Sequence, residues 1–275
     1  SQEVCQGEGA EKKTLNGAGS CDKERRMKRK GIIILAVLVL LAGAGMYFYP
    51  DISNMYYQAA AASDIKGYQK GVRELSKTQE EEMLARAEVY NSRLSGALSM
   101  DPFRTGGADP SEEDEEYNAL LNINGVMGYI DIPKIDVYLP VYHGTSAEVL
   151  KKGAGHLYGS ALPTGGSGTH SVISAHRGLP SARLFTDLGE MEKGDIFYFH
   201  IFDRIMAYQI DQIETVLPTQ LELLDPVPGM EYMTLFTCTP YGINSHRLLV
   251  RGVRIPYEVT SDGTSQEAMA AIHIR

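Results

Sequence analysis

An uncharged apolar run at residues 31–49, GIIILAVLVLLAGAGMYFY, constrains the arrangement of this chain more than any other feature. Its length matches the roughly 20 residues that a helix needs to cross the hydrocarbon core of a bilayer. Lysines and arginines cluster before the run, between residues 23 and 30, and three aromatic residues end it. Basic residues favour the cytoplasmic side and aromatic residues the interface. We therefore predict a single membrane-spanning helix with its N-terminus in the cytoplasm.

A cleaved signal peptide is the alternative, with the alanine-rich patch at Ala59–Ala62 as its cleavage site. The apolar stretch of a signal peptide is usually shorter than this run, which favours an uncleaved anchor. Under either interpretation the chain after residue 50 lies outside the cytoplasm. Residues 1–30 are polar and rich in Gly, Lys and Glu, and we predict a disordered cytoplasmic tail there.

Composition limits what the exported part can be. The chain has 275 residues, 43% of them apolar, which is enough for one large folded domain with appendages. Its net charge of −9 argues against a nucleic-acid partner, because phosphate binding needs Lys and Arg concentrated on one face. The one basic cluster precedes the apolar run, where the membrane accounts for it.

Two segments separate the apolar run from the main domain. Residues 50–98 contain many good helix formers, and we predict helices that form a stalk or pack on the rest of the chain. Residues 99–116 are rich in Pro, Gly and acidic residues and predict a loop. The acidic run at 112–116 is typical of a solvated surface rather than a calcium site. We therefore predict no metal and no other cofactor.

From residue 125 onward, short runs of β-branched and aromatic residues alternate with Gly, Pro and Asp. This pattern is typical of a closed or sandwiched antiparallel β domain, which we place at residues 117–258. A polar tail follows at 259–275, and a short helix is predicted at 182–188. The predicted strands cover residues 128–132, 135–142, 170–175, 195–202, 204–216, 232–237 and 247–253.

Counting cysteines singles out Cys238. Cys5 and Cys21 precede the apolar run, so Cys238 has no disulfide partner in the exported part of the chain. An unpaired cysteine in an exported domain is a liability unless it reacts or pairs with another chain. The alternative is a buried cysteine that packs as a small hydrophobic residue.

The neighbourhood of Cys238 favours the reactive interpretation. The residue ends one predicted strand, and Arg247 begins the next after a turn-rich loop that holds Pro240, Gly242 and Asn244. If the two strands pair antiparallel, the thiol and the guanidinium lie at the same end of one sheet. A cation beside a thiol lowers the thiol pKa and favours the reactive thiolate. The arrangement predicts that Cys238 is a nucleophile.

A thiol nucleophile needs a partner that exchanges protons, and His176 is the best placed of the seven histidines. It follows a predicted strand and opens a Gly-containing loop, a position where active-site residues are common. Position alone leaves the other six open, although His156 in GAGHL is better explained as a hydrogen-bonded structural histidine. We assign no role to Tyr241 or His246, which flank the catalytic pieces. The remaining histidines are His143, His170, His200 and His273.

Several separated segments together resemble the sortases, the surface transpeptidases of Gram-positive bacteria. TLFTCTPYGINSHRLLVRG resembles their cysteine-containing signature, SVISAHRGLPSARLFTDL their histidine segment, and GAGHLYGSALPTGG the stretch before it. DPF at Asp101–Phe103 resembles the lid motif of the class C, pilus-assembling members. The resemblance covers roughly residues 101–257 and keeps the order of the motifs.

The resemblance implies a fold and a reaction. The fold is an eight-stranded β-barrel with short helices, here preceded by an N-terminal helical region and the membrane helix. Cys238 would be the nucleophile, His176 the general acid and base, and Arg247 the cation that holds the substrate or the oxyanion. The family cleaves an LPXTG-type sorting signal between Thr and Gly through a thioacyl enzyme. In class C members a pilin lysine amine resolves that intermediate and joins pilin subunits.

The lid resemblance predicts that Asp101 pairs with Arg247 and that Phe103, held by Pro102, covers Cys238. A simple turn at Asp-Pro is the alternative. Class C members commonly carry a second membrane helix after the barrel, whereas the sequence after residue 258 is polar. This departure keeps two other functions open: a housekeeping or hydrolytic sortase that anchors proteins to peptidoglycan, and a non-catalytic membrane-tethered β domain.

Overall fold

The computed structural model describes residues 11–94, 101–103, 109–179 and 181–257, with side chains from residue 26 onward. The predicted polar tail at 259–275 and parts of the predicted loop at 99–116 lie outside the described residues. The chain divides into two compact units, residues 1–52 and residues 53–275.

Helix α1 (Glu11–Arg73) makes up the described part of the first unit and continues into the second. The prediction of a disordered tail is therefore wrong for residues 11–30, which are helical; residues 1–10 lie outside the described part. Glu, Lys, Arg and Met are good helix formers, and extending an existing helix avoids the cost of nucleating a new one. Within the described chain, one helix is long and apolar enough to cross a membrane, and its apolar side chains are exposed.

The second unit is an eight-stranded closed barrel, as predicted, with strand order β1-β2-β3-β4-β7-β8-β6-β5. Short helices α3 and α4 and several 3-10 turns connect the strands. The helices after α1 are α2 (Lys77–Ser92), α3 (Glu115–Ala119) and α4 (Ala147–Lys152). The strands are β1 (Gly128–Ile132), β2 (Val137–His143), β3 (Ala154–His156), β4 (Thr169–Ser174), β5 (Ile196–Ile201), β6 (Arg204–Val216), β7 (Glu231–Thr239) and β8 (His246–Ile255).

The barrel is mixed rather than antiparallel, which corrects the expectation from strand texture. Strand β3 runs parallel to β2, and β7 runs parallel to β4. The alternation of apolar and polar residues along a strand indicates which side chains are buried. It does not indicate whether the neighbouring strand runs parallel or antiparallel. Strand β3 was not predicted at all, because its three residues include Gly155 and carry no alternation.

The predicted helix at 182–188 is also wrong. Residues Thr186–Glu190 form a 3-10 turn, and residues 181–185 before it are not helical. The loop after β4 is instead held by single contacts, such as the bond from the Phe185 amide to the His176 carbonyl at 3.1 Å. A short segment gains little from helical bonds, so tertiary contacts decide its conformation.

The helical region before the barrel packs on it and is not a free stalk. The Phe202 amide donates to the Tyr68 hydroxyl at 2.8 Å, and both residues are buried. On α2, the Asn91 side chain accepts from the Leu162 amide at 2.7 Å and donates to the Leu162 carbonyl at 3.0 Å. These contacts fasten both helices to barrel residues far away in sequence.

Apolar side chains fill the two faces of the strands differently. Leu235 of β7 lies in the large core inside the barrel, whereas its neighbour Phe236 lies in a smaller cluster on the outer face. Alternation along a strand produces this division. We call the smaller set the outer cluster; it consists of Leu157, Val172, Leu221, Leu224, Phe236 and Leu249.

Candidate active site

Cys238 lies on the outer face of the barrel, at the end of β7. It is two residues beyond Phe236, so alternation places both side chains on the side of the outer cluster. Its Cα partner across the antiparallel pair of β7 and β8 is Arg247. Both side chains are almost fully buried, each residue being 6% exposed. The predicted meeting of the thiol and the guanidinium at one end of the sheet is therefore present.

His176 reaches the same end through the parallel pairing of β4 with β7. The last paired residues are Ser174 and Phe236, and the Ala175 amide donates to the Phe236 carbonyl at 3.2 Å. Two residues further along the chain are His176, just past the end of β4, and Cys238, still within β7. Three adjacent strands thus bring the imidazole, the thiol and the guanidinium of Arg247 to one rim of the barrel.

Arg177, which the sequence analysis did not single out, braces the loop that carries His176. Its Nε donates to the Thr186 carbonyl at 3.1 Å, and its Nη1 donates to the Thr239 hydroxyl at 3.0 Å. Thr239 follows Cys238, so one guanidinium ties the histidine loop to the cysteine strand. Its position beside His176 was the only sequence signal, and that signal does not distinguish a brace from a surface arginine.

Gly178 explains how Tyr241 fits beside the histidine loop. Gly178 has a φ of +85°, a conformation that side chains rarely adopt, and a Cβ there would lie 2.9 Å from the Tyr241 ring. The ring of Tyr241 therefore packs directly on the backbone of the loop after His176. Tyr241 itself is 58% exposed, so it forms part of the rim of the site.

Asp101 forms a bidentate ion pair with Arg247. Arg247 Nε lies 2.8 Å from Asp101 Oδ1, and Nη2 lies 2.6 Å from Oδ2. The two side chains are only 7% and 10% exposed. Arg247 Nη1 donates to the carbonyls of Asn244 and His246, both at 2.9 Å. The guanidinium thus makes four hydrogen bonds, two of them to Asp101.

Phe103 covers the side chains around Cys238. Its ring stacks on Phe236 with centroids 5.9 Å apart and lies against the His176 ring at 5.4 Å. The Arg247 guanidinium lies 5.7 Å from the centre of the Phe103 ring, a cation–π distance. Pro102 fixes the backbone between the two anchors, and the Phe103 amide lies 3.4 Å from Asp101 Oδ1. We call Asp101–Phe103 the lid segment.

Burial sets the protonation states in this closed arrangement. It raises the pKa of the Cys238 thiol to about 11; the charge of Arg247 opposes the rise and that of Asp101 adds to it. Burial also lowers the pKa of His176. The expectation of a lowered thiol pKa is therefore wrong while the lid segment is in place. At neutral pH the site holds a neutral thiol beside a neutral imidazole.

His156 lies away from this rim and has the contacts of a structural histidine. It is fully buried, its Nδ1 lies 2.9 Å from the Tyr117 hydroxyl, and its Nε2 lies 2.9 Å from the Ala161 carbonyl. Burial lowers its pKa to about 4, so the ring stays neutral. These contacts agree with the structural interpretation made from the sequence.

The described residues contain no group of three or more His, Cys, Asp or Glu side chains arranged to hold a metal ion. The chemistry available at the rim is that of a thiol, an imidazole and a guanidinium. Those three groups suit nucleophilic attack on a carbonyl, proton transfer to a leaving group and stabilisation of an oxyanion.

Comparison with known proteins agrees with the motifs and the fold. A family model described as a sortase domain matches residues 130–255. Among curated proteins, the sortase A of Streptococcus agalactiae is 27% identical over 209 residues, covering 75% of this chain and 77% of that protein.

Solved structures give higher identity. The sortase C of Streptococcus pneumoniae is 48% identical with a TM-score of 0.65, covering 71% of this chain and 97% of that one. The pilus-related sortase C of Group B Streptococcus is 42% identical with a TM-score of 0.64, covering 70% and 97%. With close to half of the residues identical over nearly the whole of a solved relative, the chain belongs to the sortase family of cysteine transpeptidases.

Proposed function

We propose that this chain is a pilin-joining sortase that cleaves an LPXTG-type sorting signal between Thr and Gly and transfers the acyl group to a pilin lysine. The observation that carries the proposal is the convergence of Cys238, His176 and Arg247 from three adjacent strands at one rim. A non-catalytic β domain has no use for a buried, unpaired thiol beside an imidazole and a guanidinium.

Each side chain has one task in the proposed reaction. Once the site is open, the Cys238 thiol gives its proton to His176. The resulting thiolate attacks the threonine carbonyl, and the carbonyl electrons move onto oxygen. Arg247 stabilises that oxyanion with the Nε and Nη2 hydrogens that hold Asp101 in the closed state. The C–N bond then breaks, and His176, as imidazolium, protonates the departing glycine amine. A thioester between threonine and Cys238 remains.

The second half of the reaction reverses these roles. The lysine amine attacks the thioester carbonyl, and the now neutral His176 takes the proton that the amine loses. The C–S bond breaks, an amide forms between threonine and lysine, and the thiolate of Cys238 is restored. Transfer requires the amine to compete with water, which the apolar outer cluster beside Cys238 favours because it limits solvent access.

We further propose that the lid segment keeps the enzyme inactive until substrate displaces it. Asp101 occupies the guanidinium fork that the oxyanion needs, and Phe103 occupies the apolar surface beside His176. Removing both would lower the thiol pKa, because burial and Asp101 are the two influences that raise it. The same displacement would therefore expose the nucleophile and ionise it.

Two observations favour pilin subunits as substrates. The relatives with 40–48% identity include a structure described as a pilus-related sortase C, and another whose description concerns pilin substrate specificity. The second observation is the lid segment, because its Asp-Pro-Phe sequence resembles the lid motif of pilus-assembling sortases. The apolar helix suits an anchor that holds the N-terminus in the cytoplasm and the barrel outside the cell, where surface-protein substrates are found.

Mass spectrometry of the full chain in detergent, incubated with an LPXTG peptide and a pilin subunit, tests the proposal. We expect a thioacyl adduct on Cys238 and a peptide joined to a pilin lysine, with neither product from Cys238→Ala. An adduct without a lysine-linked product would indicate the housekeeping or hydrolytic alternative. Absence of any adduct, with the lid segment intact and with Asp101→Ala, would overturn the transpeptidase assignment.

A further inference from the structure

Ser174 carries a fully buried hydroxyl with no hydrogen-bond partner. The other buried polar side chains of β4 are satisfied. The Ser171 hydroxyl donates to the Ala161 carbonyl at 2.5 Å, and His170 Nε2 lies 2.7 Å from the Thr234 hydroxyl. An unpaired buried hydroxyl is destabilising, so this one calls for an explanation by function.

Alternation places the Ser174 side chain on the outer face of the barrel. Val172 belongs to the outer cluster and Ile173 to the interior core, so Ser174 points to the same side as Val172. Its partner on β7 is Phe236, the ring on which Phe103 stacks. Its partner on β3 is Gly155, which has no side chain to offer. Ser174 is thus a polar position beside the apolar side chains of Val172 and Phe236.

The distance to the reacting atoms is short. Ser174 is the last residue of β4, two residues before His176, and Phe236 is one pleat before Cys238 on the neighbouring β7. One strand spacing and one pleat together put the Cα atoms of Ser174 and Cys238 about 8 Å apart. A threonine whose carbonyl carbon is bonded to the Cys238 sulfur has its own side chain within reach of Ser174.

We propose that the Ser174 hydroxyl selects the residue before the scissile bond, by forming a hydrogen bond with the hydroxyl of that threonine in the acyl-enzyme and the states leading to it. The inference rests on the proposed function, since it needs the sorting signal to occupy the surface that Phe103 covers. A hydroxyl can donate and accept, so either of the two can supply the hydrogen. Valine has the shape of threonine without the hydroxyl, so it would leave the buried Ser174 hydroxyl without a hydrogen-bond partner.

Comparing Thr and Val peptides on wild type and Ser174→Ala tests this assignment. The peptides are LPXTG and the same sequence with Val before the scissile bond, and the readout is kcat/KM for release of the glycine fragment. Each rate is measured on the full chain and repeated with Asp101→Ala. We expect the wild type to prefer Thr by about tenfold or more, because an unmatched buried hydrogen-bonding group is penalised. In Ser174→Ala the preference should fall towards one, mainly through a slower Thr reaction.

Two further variants separate selection from a structural role. Ser174→Thr keeps the hydroxyl and should retain the preference for Thr. Ser171→Ala removes a paired hydroxyl on the other face of the same strand and should leave the preference unchanged. A Ser174→Ala enzyme that slows on both peptides equally, or keeps its preference, would overturn the inference. Failure of the wild type to cleave either peptide would instead count against the proposed function itself.

Discussion

Two histidines of the same barrel, His156 and His176, have contrasting surroundings. Both ring nitrogens of His156 lie within hydrogen-bond distance of buried groups, the Tyr117 hydroxyl and the Ala161 carbonyl. His176 stands at a strand end, and in the described part of the chain its ring contact is with the Phe103 ring at 5.4 Å. A ring whose nitrogens are already bonded stabilises the fold, whereas a ring with free nitrogens can exchange protons.

Sequence spacing does not reveal this difference. Both histidines lie within two residues of a glycine, and burial lowers the pKa of both. What separates them is the identity of their neighbours: a hydroxyl and a carbonyl for His156, and the Phe103 ring for His176. The comparison predicts that one histidine supports stability and the other supports catalysis.

Replacing each histidine by alanine tests this comparison most directly. His176→Ala should slow thioacyl formation and transfer by about 10²- to 10⁴-fold, the usual contribution of a general acid and base, with little change in unfolding temperature. Peptide-transfer kinetics and thermal unfolding measure the two effects.

His156→Ala is the matched control and should behave in the opposite way. It removes one hydrogen-bond partner each from the buried Tyr117 hydroxyl and the Ala161 carbonyl, which lowers the free energy of unfolding by about 1–3 kcal/mol. The folded fraction should keep its turnover. A His176→Ala enzyme with wild-type kinetics would show that the free ring is not the proton carrier.

Removing the ring of Phe103 or the carboxylate of Asp101 should make the Cys238 thiol react faster. In Asp101→Ala and Phe103→Ala, alkylation of Cys238 at neutral pH should be at least about tenfold faster, because one pKa unit is a tenfold change in thiolate. The pH midpoint of the reaction should fall below the value of about 11 that the closed site imposes on the thiol pKa.

Peptide mapping by mass spectrometry follows Cys238 separately from Cys5 and Cys21. Glu112→Ala, which removes an exposed carboxylate from the nearby acidic run, is the control and should alkylate at the wild-type rate. Unchanged rates in both lid variants would rule out a covering role for the segment.

Arg247→Lys tests the guanidinium with a smaller expected effect. Lysine keeps the charge but cannot form the bidentate fork that holds Asp101. We expect faster alkylation of Cys238, since the lid segment is held less firmly, together with acyl transfer slowed by about 10- to 100-fold as oxyanion contacts are lost. Stopped-flow alkylation and peptide cleavage report the two changes. If both moved in the same direction, the double role of Arg247 would be wrong.

Acid should weaken the barrel through its buried histidines. Burial lowers the pKa of His156 and of His170 to about 4, below the value near 6.5 of an unfolded chain. The folded state binds fewer protons between these values, so stability is complete above pH 6.5 and is lost as the pH falls towards 4. Denaturant unfolding at several pH values should show a loss on the order of 1–3 kcal/mol per histidine.

Glutamine at either position provides the control for the acid effect. His156→Gln and His170→Gln should each flatten the pH dependence of unfolding, whatever they do to stability at neutral pH. A slope that is unchanged in both variants would assign the acid sensitivity to other groups.

The hairpin of β7 and β8 could be predicted because it is local. Its two strands are neighbours in sequence and pair antiparallel, so the approach of Cys238 to Arg247 followed from a strand, a turn-rich loop and a strand. The long apolar helix was equally accessible, since length and absence of charge are visible in the sequence itself.

Long-range pairing was not accessible in the same way. The parallel pairing of β4 with β7 brings His176 beside Cys238. Along the chain, these two strands are separated by the whole β5–β6 hairpin. The ion pair of Asp101 with Arg247 joins residues 146 positions apart. Both were anticipated only through the family resemblance and not from periodicity or composition.

The sequence by itself determined the long apolar helix, most of the strands, and which side chains could perform acyl transfer. Only the tertiary structure decided the protonation state of those side chains, the unpaired state of the Ser174 hydroxyl, and the contacts that hold His156 and surround His176. The physical reason is that burial and hydrogen bonding depend on neighbours in space. A thiol beside an arginine is activated or silenced according to what else covers it.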